Sequence, residues 1–268
     1  MALMRVLILG DTVGRPARRA IGELVPAVVA DEGIDLVIAN AENAAGGMGV
    51  DVKSAEELFS SGVHVLTSGN HIWRKKEIYG YFESHPNLLR PANYPEGAPG
   101  RGWVEWEGRS GARALVVNLQ GRVFMAPVDD PFRCVDRLLR EHESFSRVVI
   151  VDMHAEATSE KNAMGWYLDG RASVVFGTHT HVQTADERIL PRGTAYITDL
   201  GMCGALDSVI GIEKEIVIDG FLTQLPRKFE VAAQNVALQG IIVDIDSGTG
   251  RAQAIRRVRL PWDGRRAG

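Results

Sequence analysis

Short, mostly apolar runs recur along this chain at residues 6–9, 36–39, 64–67, 148–151 and 174–176, each bounded by glycine or polar residues. Each run is too short for a core helix, and together they alternate with longer stretches of helical spacing at 15–31, 52–60 and 75–84. Continuous apolar runs of this length are what strands buried on both faces look like, so the rhythm predicts a layered α/β fold. Pro26 falls inside the first helical stretch and is expected to kink or shorten it.

The rest of the chain is consistent with that frame. Pro86, Pro91, Pro95 and Pro99 mark an irregular stretch leading to strand-like runs at 103–107 and 114–119. Residues 132–143 read as a helix, and 240–245 with 252–260 as a closing hairpin. The region 205–234 fits no element clearly and is expected to be a small cap or an interface element. There is no internal repeat and no low-complexity tract. A length of 268 residues suits a single domain spanning 1–268. The hydrophobic share of 45% and charged share of 24% are those of a globular protein.

Bulk properties narrow the function classes. With 30 basic and 34 acidic residues the formal net charge is -4, so no global positive field is available to hold a nucleic-acid backbone. The apolar opening at 3–9 is interrupted by Arg5 and ended by Asp11, short of the ~20 residues that cross a bilayer. Cys134 and Cys203 are the only cysteines and make neither a disulfide framework nor a CxxC pair, which points to a reducing cytoplasm. Cys203, near Gly201 and Gly204, can be read as a nucleophile or as a small buried thiol, and the second reading is preferred.

The chemistry is concentrated where the apolar runs stop. Asp11 follows the first; Asn40, Glu42 and Asn43 follow the second; Asn70 and His71 follow the third; His154 and Glu156 follow the fourth; His179 and His181 follow the fifth. Ligands of open α/β sheets bind at the carboxyl edge of the strands, so these residues are expected to converge. Taken singly, Asp11 reads as a helix N-cap, Asn43 and Asn70 as turn residues, and His179-Thr180-His181 as surface histidines. Taken together they supply carboxylate, carboxamide and imidazole ligands, with an extended backbone at 179–181 expected to send both imidazoles to one face. Asp11 and Glu42 would only half neutralise two divalent ions, leaving a cationic site for a phosphate anion. Gly10-Asp11-Thr12-Val13-Gly14 lacks the dinucleotide spacing GxGxxG, and neither a P-loop nor a GxSxG elbow occurs.

The set Gly10-Asp11, Gly69-Asn70-His71, His154 and Gly177-Thr178-His179-Thr180-His181 resembles the calcineurin-like metallophosphoesterases. The strings at 154–161 and 177–186 resemble the YmdB-like branch, a family of bacterial cyclic-nucleotide phosphodiesterases. The usual early Asp-x-His is here Asp11-Thr12-Val13, and the usual second-strand aspartate is Glu42. The resemblance implies an α/β/β/α sandwich of mixed sheets flanked by helices. It also implies two divalent or mixed-valence metal ions, iron or manganese first and zinc next. One ion would take Asp11, Glu42, Asn43 and His181; the other would take Glu42, Asn70, His154 and His179. The implied reaction is in-line attack by a metal-bridging hydroxide on 2',3'- and 3',5'-cyclic nucleotides, with His71 as general acid and the amides of Thr158 and Ser159 holding phosphate.

Two other function classes fit some of these residues. A phosphomonoesterase would use the same metal core. A non-catalytic regulator, nucleotide-sensing or RNA-associated, would draw on the basic tail of Arg256, Arg257, Arg259, Arg265 and Arg266. The expected partner is a small phosphodiester or cyclic nucleotide, with no membrane and no stable nucleic-acid complex, and a homo-oligomer is left open.

Overall fold

The computed structural model describes residues 3–108 and 111–264. In chain order the elements are β1 (Leu3–Thr12), α1 (Gly14–Glu32), β2 (Leu36–Asn40), α2 (Val52–Ser60), β3 (Val65–Thr67), α3 (Ile78–Ser84), β4 (Trp103–Glu107), β5 (Arg113–Gln120) and α4 (Pro131–Glu141). They continue as β6 (Val149–His154), α5 (Thr158–Tyr167), β7 (Val174–Thr178), β8 (Arg188–Ile189), β9 (Ala195–Ile197), β10 (Met202–Ala205), α6 (Lys214–Thr223), β11 (Val236–Asp246) and β12 (Arg251–Trp262). One sheet has the order β12-β11-β10-β1-β2-β3 and the other β4-β5-β6-β7-β9-β8.

Strand alternation explains the layering. In β1, Leu7 and Leu9 pack against Ala17, Ala20, Ile21 and Val25 of α1. Met4, Val6 and Ile8 point the other way, into a core shared with Ile150, Val174 and Phe176 of the second sheet. In β6, Val149, Val151 and Met153 meet Val135 and Leu138 of α4 and Met164 of α5. The result is helix, sheet, sheet, helix: the α/β/β/α sandwich of the metallophosphoesterase type. Each buried aliphatic side chain contributes ~1.5–3 kcal/mol, so two-sided burial of these strands is the main force behind the arrangement.

The strands at the centre of both sheets run parallel, β1 with β2 and β2 with β3 on one side, β5 with β6 and β6 with β7 on the other. Along the face between the sheets, apolar residues give way to polar ones at the C-terminal ends. Leu36 and Ile38 lead to Asn40, Ala114 and Val116 to Asn118, Ile150 to Asp152 and His154, and Val174 and Phe176 to Thr178. The apolar core between the sheets thus ends in a buried polar floor at one edge, and the candidate site lies on that floor.

Several boundaries differ from the sequence expectation for physical reasons. Pro26 lies inside α1, which runs on to Glu32. Pro26 and Gly22, whose carbonyl loses its helical partner, both lie on the exposed face, where water can satisfy the freed oxygen. The helix expected from residue 75 begins at Ile78, because Lys75 is extended after a 3-10 turn at Ile72–Arg74. In the region 205–234, α6 has no buried residue, and Phe221 and Leu222 are largely exposed. Arg265 and Arg266 lie outside the described residues.

Candidate metal centre

The expected ligands come together at the shared sheet edge. Asp11 sits near the end of β1, Glu42 and Asn43 just beyond β2, Asn70 and His71 beyond β3, His154 at the end of β6, and His179 and His181 after β7. Two groups of ligand atoms lie close enough to hold a cation: Glu42, His154 and His179 form one, and Asp11, Glu42 and His181 form the other. Glu42 belongs to both. Asn70 Oδ1 is 3.1 Å from His154 Nε2, which places it with the first group. Asn43 is anchored by its Nδ2, which donates to the Gly47 carbonyl at 3.0 Å. Gly69 is required by close approach, since a Cβ there would lie 2.0 Å from His154 Nε2.

The two imidazoles after β7 reach the site in an unexpected way. β7 stops at Thr178, and His179 (φ 96°) and His181 (φ 63°) both adopt left-handed backbone. The extended conformation expected for 179–181 is therefore corrected: the rings converge by two tight turns, with no pleat involved. Contacts from distant segments hold those turns, since the His179 amide donates to Asp11 Oδ2 (3.1 Å) and His181 Nδ1 lies 2.9 Å from the Ile210 carbonyl.

His154, His179 and His181 each have one nitrogen occupied outside the centre and the other aimed into it. His179 Nε2 pairs with Glu156 Oε2 at 3.0 Å, leaving Nδ1 3.9 Å from Glu42 Oε1. His181 Nδ1 is held by Ile210, leaving Nε2 3.8 Å from Asp11 Oδ1. His154 Nδ1 is 2.9 Å from Thr178 Oγ1, and its Nε2 is 3.2 Å from Glu42 Oε2. Holding the outer nitrogen fixes the tautomer and orientation of a metal-ligating imidazole.

Four buried atoms at this centre have no hydrogen-bond partner: Asp11 Oδ1, Glu42 Oε1, Asn43 Oδ1 and His179 Nδ1. An unpaired buried polar atom is costly, and these oxygen and nitrogen atoms line a cradle that cations would satisfy. The electrostatics agree. Burial, followed by repulsion from Asp199 and Glu42, pushes the Asp11 carboxyl well above its ordinary value. Burial also acts to raise Glu42, but His154, His179 and His71 outweigh it and hold Glu42 well below the usual range. Burial depresses His154 to about 4 and lowers His181, keeping both rings in the neutral form that binds metals.

A family model described as YmdB-like protein matches residues 7–258. The chain belongs to the YmdB-like family. A Bacillus subtilis relative named 2',3'-cyclic-nucleotide 2'-phosphodiesterase is 49% identical over 260 residues, covering 97% of this chain and 98% of its own. A Mycoplasma pneumoniae protein named putative phosphatase/phosphodiesterase is 35% identical over 270 residues, covering 98% and 95%. Among solved structures, a hypothetical protein from Thermus thermophilus superposes with TM-score 0.90 at 46% identity, covering 96% of this chain and 99% of its own. A crystal structure described as a novel phosphatase from Mycoplasma pneumoniae superposes with TM-score 0.91 at 35% identity, covering 97% and 94%.

Within this YmdB-like chain the remaining sequence candidates fall as follows. His71 flanks the cradle, with Nδ1 3.2 Å from Glu42 Oε1 and 3.4 Å from Asn43 Nδ2, and belongs to neither ligand group. Thr158 and Ser159 are exposed on the first turn of α5, whose approach carries Glu156 to His179. Asp11 does not cap α1, whose N-cap is Val13. Cys203 is fully buried and its thiol is pushed up to about 12 by burial, which suits packing and not nucleophilic attack. Among the described residues no helix is long and apolar enough to cross a membrane.

Sequence reasoning missed Asp152, Lys161 and Asp199, all buried under the site. Lys161 Nζ binds Asp199 Oδ2 at 2.7 Å, and the same oxygen accepts from Thr180 Oγ1 at 2.6 Å, so the pair pins the loop between His179 and His181. For Asp152 a signal existed: it is an acid that extends an otherwise apolar strand run two residues before His154.

Proposed function

We propose that this chain is a metal-dependent phosphoric diester hydrolase acting on cyclic nucleotides, both 2',3' and 3',5'. The observation that carries the reading is Glu42, a buried carboxylate shared by two groups of ligand atoms, which is what a residue bridging two cations requires. Asp11, Glu42, Asn43 and His181 would hold one ion; Glu42, Asn70, His154 and His179 would hold the other. When bound, such a pair of ions supplies Lewis acidity to the phosphoryl oxygens and an acidified water as nucleophile.

The chain's own residues do the rest. Two carboxylates leave the loaded centre cationic, so it attracts a phosphodiester locally although the whole molecule carries a net charge of -4. His71, beside Glu42 and outside both ligand groups, donates a proton to the departing sugar oxygen. The amides at Thr158 and Ser159, on the open first turn of α5, hold phosphate oxygens. The name of the Bacillus subtilis relative supports the diester and the 2',3'-cyclic substrate. Two buried free cysteines accord with work in a reducing cytoplasm.

The test is a rate comparison on the metal-loaded protein, using 2',3'-cyclic AMP, 3',5'-cyclic AMP, bis-p-nitrophenyl phosphate and p-nitrophenyl phosphate. Faster turnover of the diesters is expected. A clear preference for the monoester would replace this reading with a phosphomonoesterase, and no turnover of any of them would favour a non-catalytic regulator.

A further inference from the structure

A second polar cleft lies between the irregular stretch 90–102 and one face of α4, and none of the candidate metal ligands lines it. Its volume is about 520 Å³. Four guanidiniums line it: Arg90 and Arg101 from the irregular stretch, Arg133 and Arg137 from α4. None of the four makes a salt bridge with a carboxylate among the described residues, and Asp130 attracts Arg133 only at longer range.

Arg90 is the buried member, 7% exposed. Its Nε donates to the Pro99 carbonyl at 3.2 Å and its Nη1 to the Pro91 carbonyl at 2.8 Å. Its Nη2 has no hydrogen bond among the described residues. Burial pulls Arg90 below the usual arginine value, but a guanidinium stays protonated in a protein, so a charge is buried here without a counterion.

Helix α4 adds to the imbalance. Arg133 and Arg137 stand four residues apart on one helical face, a spacing at which like charges repel. Three carboxylates also line the cleft: Glu96, Asp129 and Asp130. Asp130 is already committed, since it accepts from the Phe132 and Arg133 amides at the start of α4 and pairs with Arg122 at 2.8 Å. Only the exposed Glu96 and Asp129 remain to face four guanidiniums.

We infer that this cleft is an anion-binding site distinct from the metal centre, and that it takes a small molecule carrying a phosphate group. A carboxylate would bring one charge and two oxygens. A phosphomonoester brings about two charges and three acceptor oxygens, which suits the positive surplus and donors that arrive from both the loop and the helix. The volume also leaves room for more than a bare ion, as small-molecule sites of this size do. The chemistry of the cleft is independent of the proposed function.

The experiment is isothermal titration calorimetry on the full chain stripped of metal, so that nothing is turned over, with 3'-AMP, inorganic phosphate and adenosine as probes. One 3'-AMP per chain should bind, adenosine should not, and the affinity should fall as salt is raised. Tighter binding of 3'-AMP than of phosphate assigns an organic phosphate; the reverse order assigns the free ion to the same site. Glu42→Ala should leave this binding unchanged. The paired substitution Arg133→Gln with Arg137→Gln should weaken it at least ~10-fold while circular dichroism stays that of the wild type. Both arginines are exposed, so this variant remains informative if Arg90→Gln fails to fold. No binding at millimolar probe, adenosine binding as tightly as 3'-AMP, or unchanged affinity in the folded double variant would overturn the inference.

Discussion

On the proposed function, residues around Glu42 divide into those that would hold ions and those that would act beside them, and substitution should separate the two. His71→Ala removes a proton donor without removing a ligand, so turnover of 2',3'-cyclic AMP should fall ~10² to 10⁴-fold. Metal content, measured by elemental analysis, should stay at the wild-type level. His154 makes a different prediction for the metal-free protein, because burial depresses it to about 4 from an ordinary 6.5. Its folded value is the lower one, so the unfolded chain takes up the proton first as pH falls. The neutral buried ring thus contributes stability that is complete above 6.5 and disappears as pH falls toward 4. The loss across that window is about 3 kcal/mol. Urea denaturation at pH 7 and pH 4.5 should show it as the difference between metal-free wild type and metal-free His154→Asn, because Asp152 and Asp11, both raised by burial, gain stability over the same interval in either protein. Position in the sequence was enough to nominate Asp11, Glu42, Asn43, Asn70, His154, His179 and His181, because each follows a buried run. The left-handed backbone of His179 and His181 was not legible, since neither is a glycine or asparagine and the contacts that hold them come from Asp11 and Ile210.

Among the elements, α5 does more than cover the second sheet. Its Lys161 is fully buried against Asp199, and that pair braces Thr180 between the two histidines. Removing one partner of a buried ion pair leaves an uncompensated charge, so Lys161→Met should cost about 3–5 kcal/mol in chemical denaturation. A loss under 1 kcal/mol would mean that the pair does not brace the loop. Nothing in the pattern around Lys161 distinguished it from an exposed helical lysine, because its partner lies 38 residues away. The strands of both sheet centres were legible for the opposite reason: two-sided burial writes an apolar run into the sequence itself. β8, β9 and β10 were not, being 2, 3 and 4 residues long and held by their neighbours' ladders. Pro26 does not end α1, because Pro26 and Gly22 lie on the exposed face, where water can satisfy the freed carbonyl.

For the whole molecule, two mostly parallel sheet centres stack face to face with their C-terminal ends at one edge. That stacking is what turns ligands scattered from Asp11 to His181 into one cradle. The apolar layer between the sheets fixes their distance, the polar floor of Asn40, Thr67, Asp152 and Thr178 joins them across the gap, and Glu42 sits above that floor. On this reading Glu42 would bridge two ions. The number of metal ions per chain, by elemental analysis after gel filtration of the wild type and of folded Glu42→Ala, tests that bridging role. Close to two ions are expected in the wild type and fewer than one in the variant, because both positions lose a ligand together. Two ions retained by Glu42→Ala would contradict it.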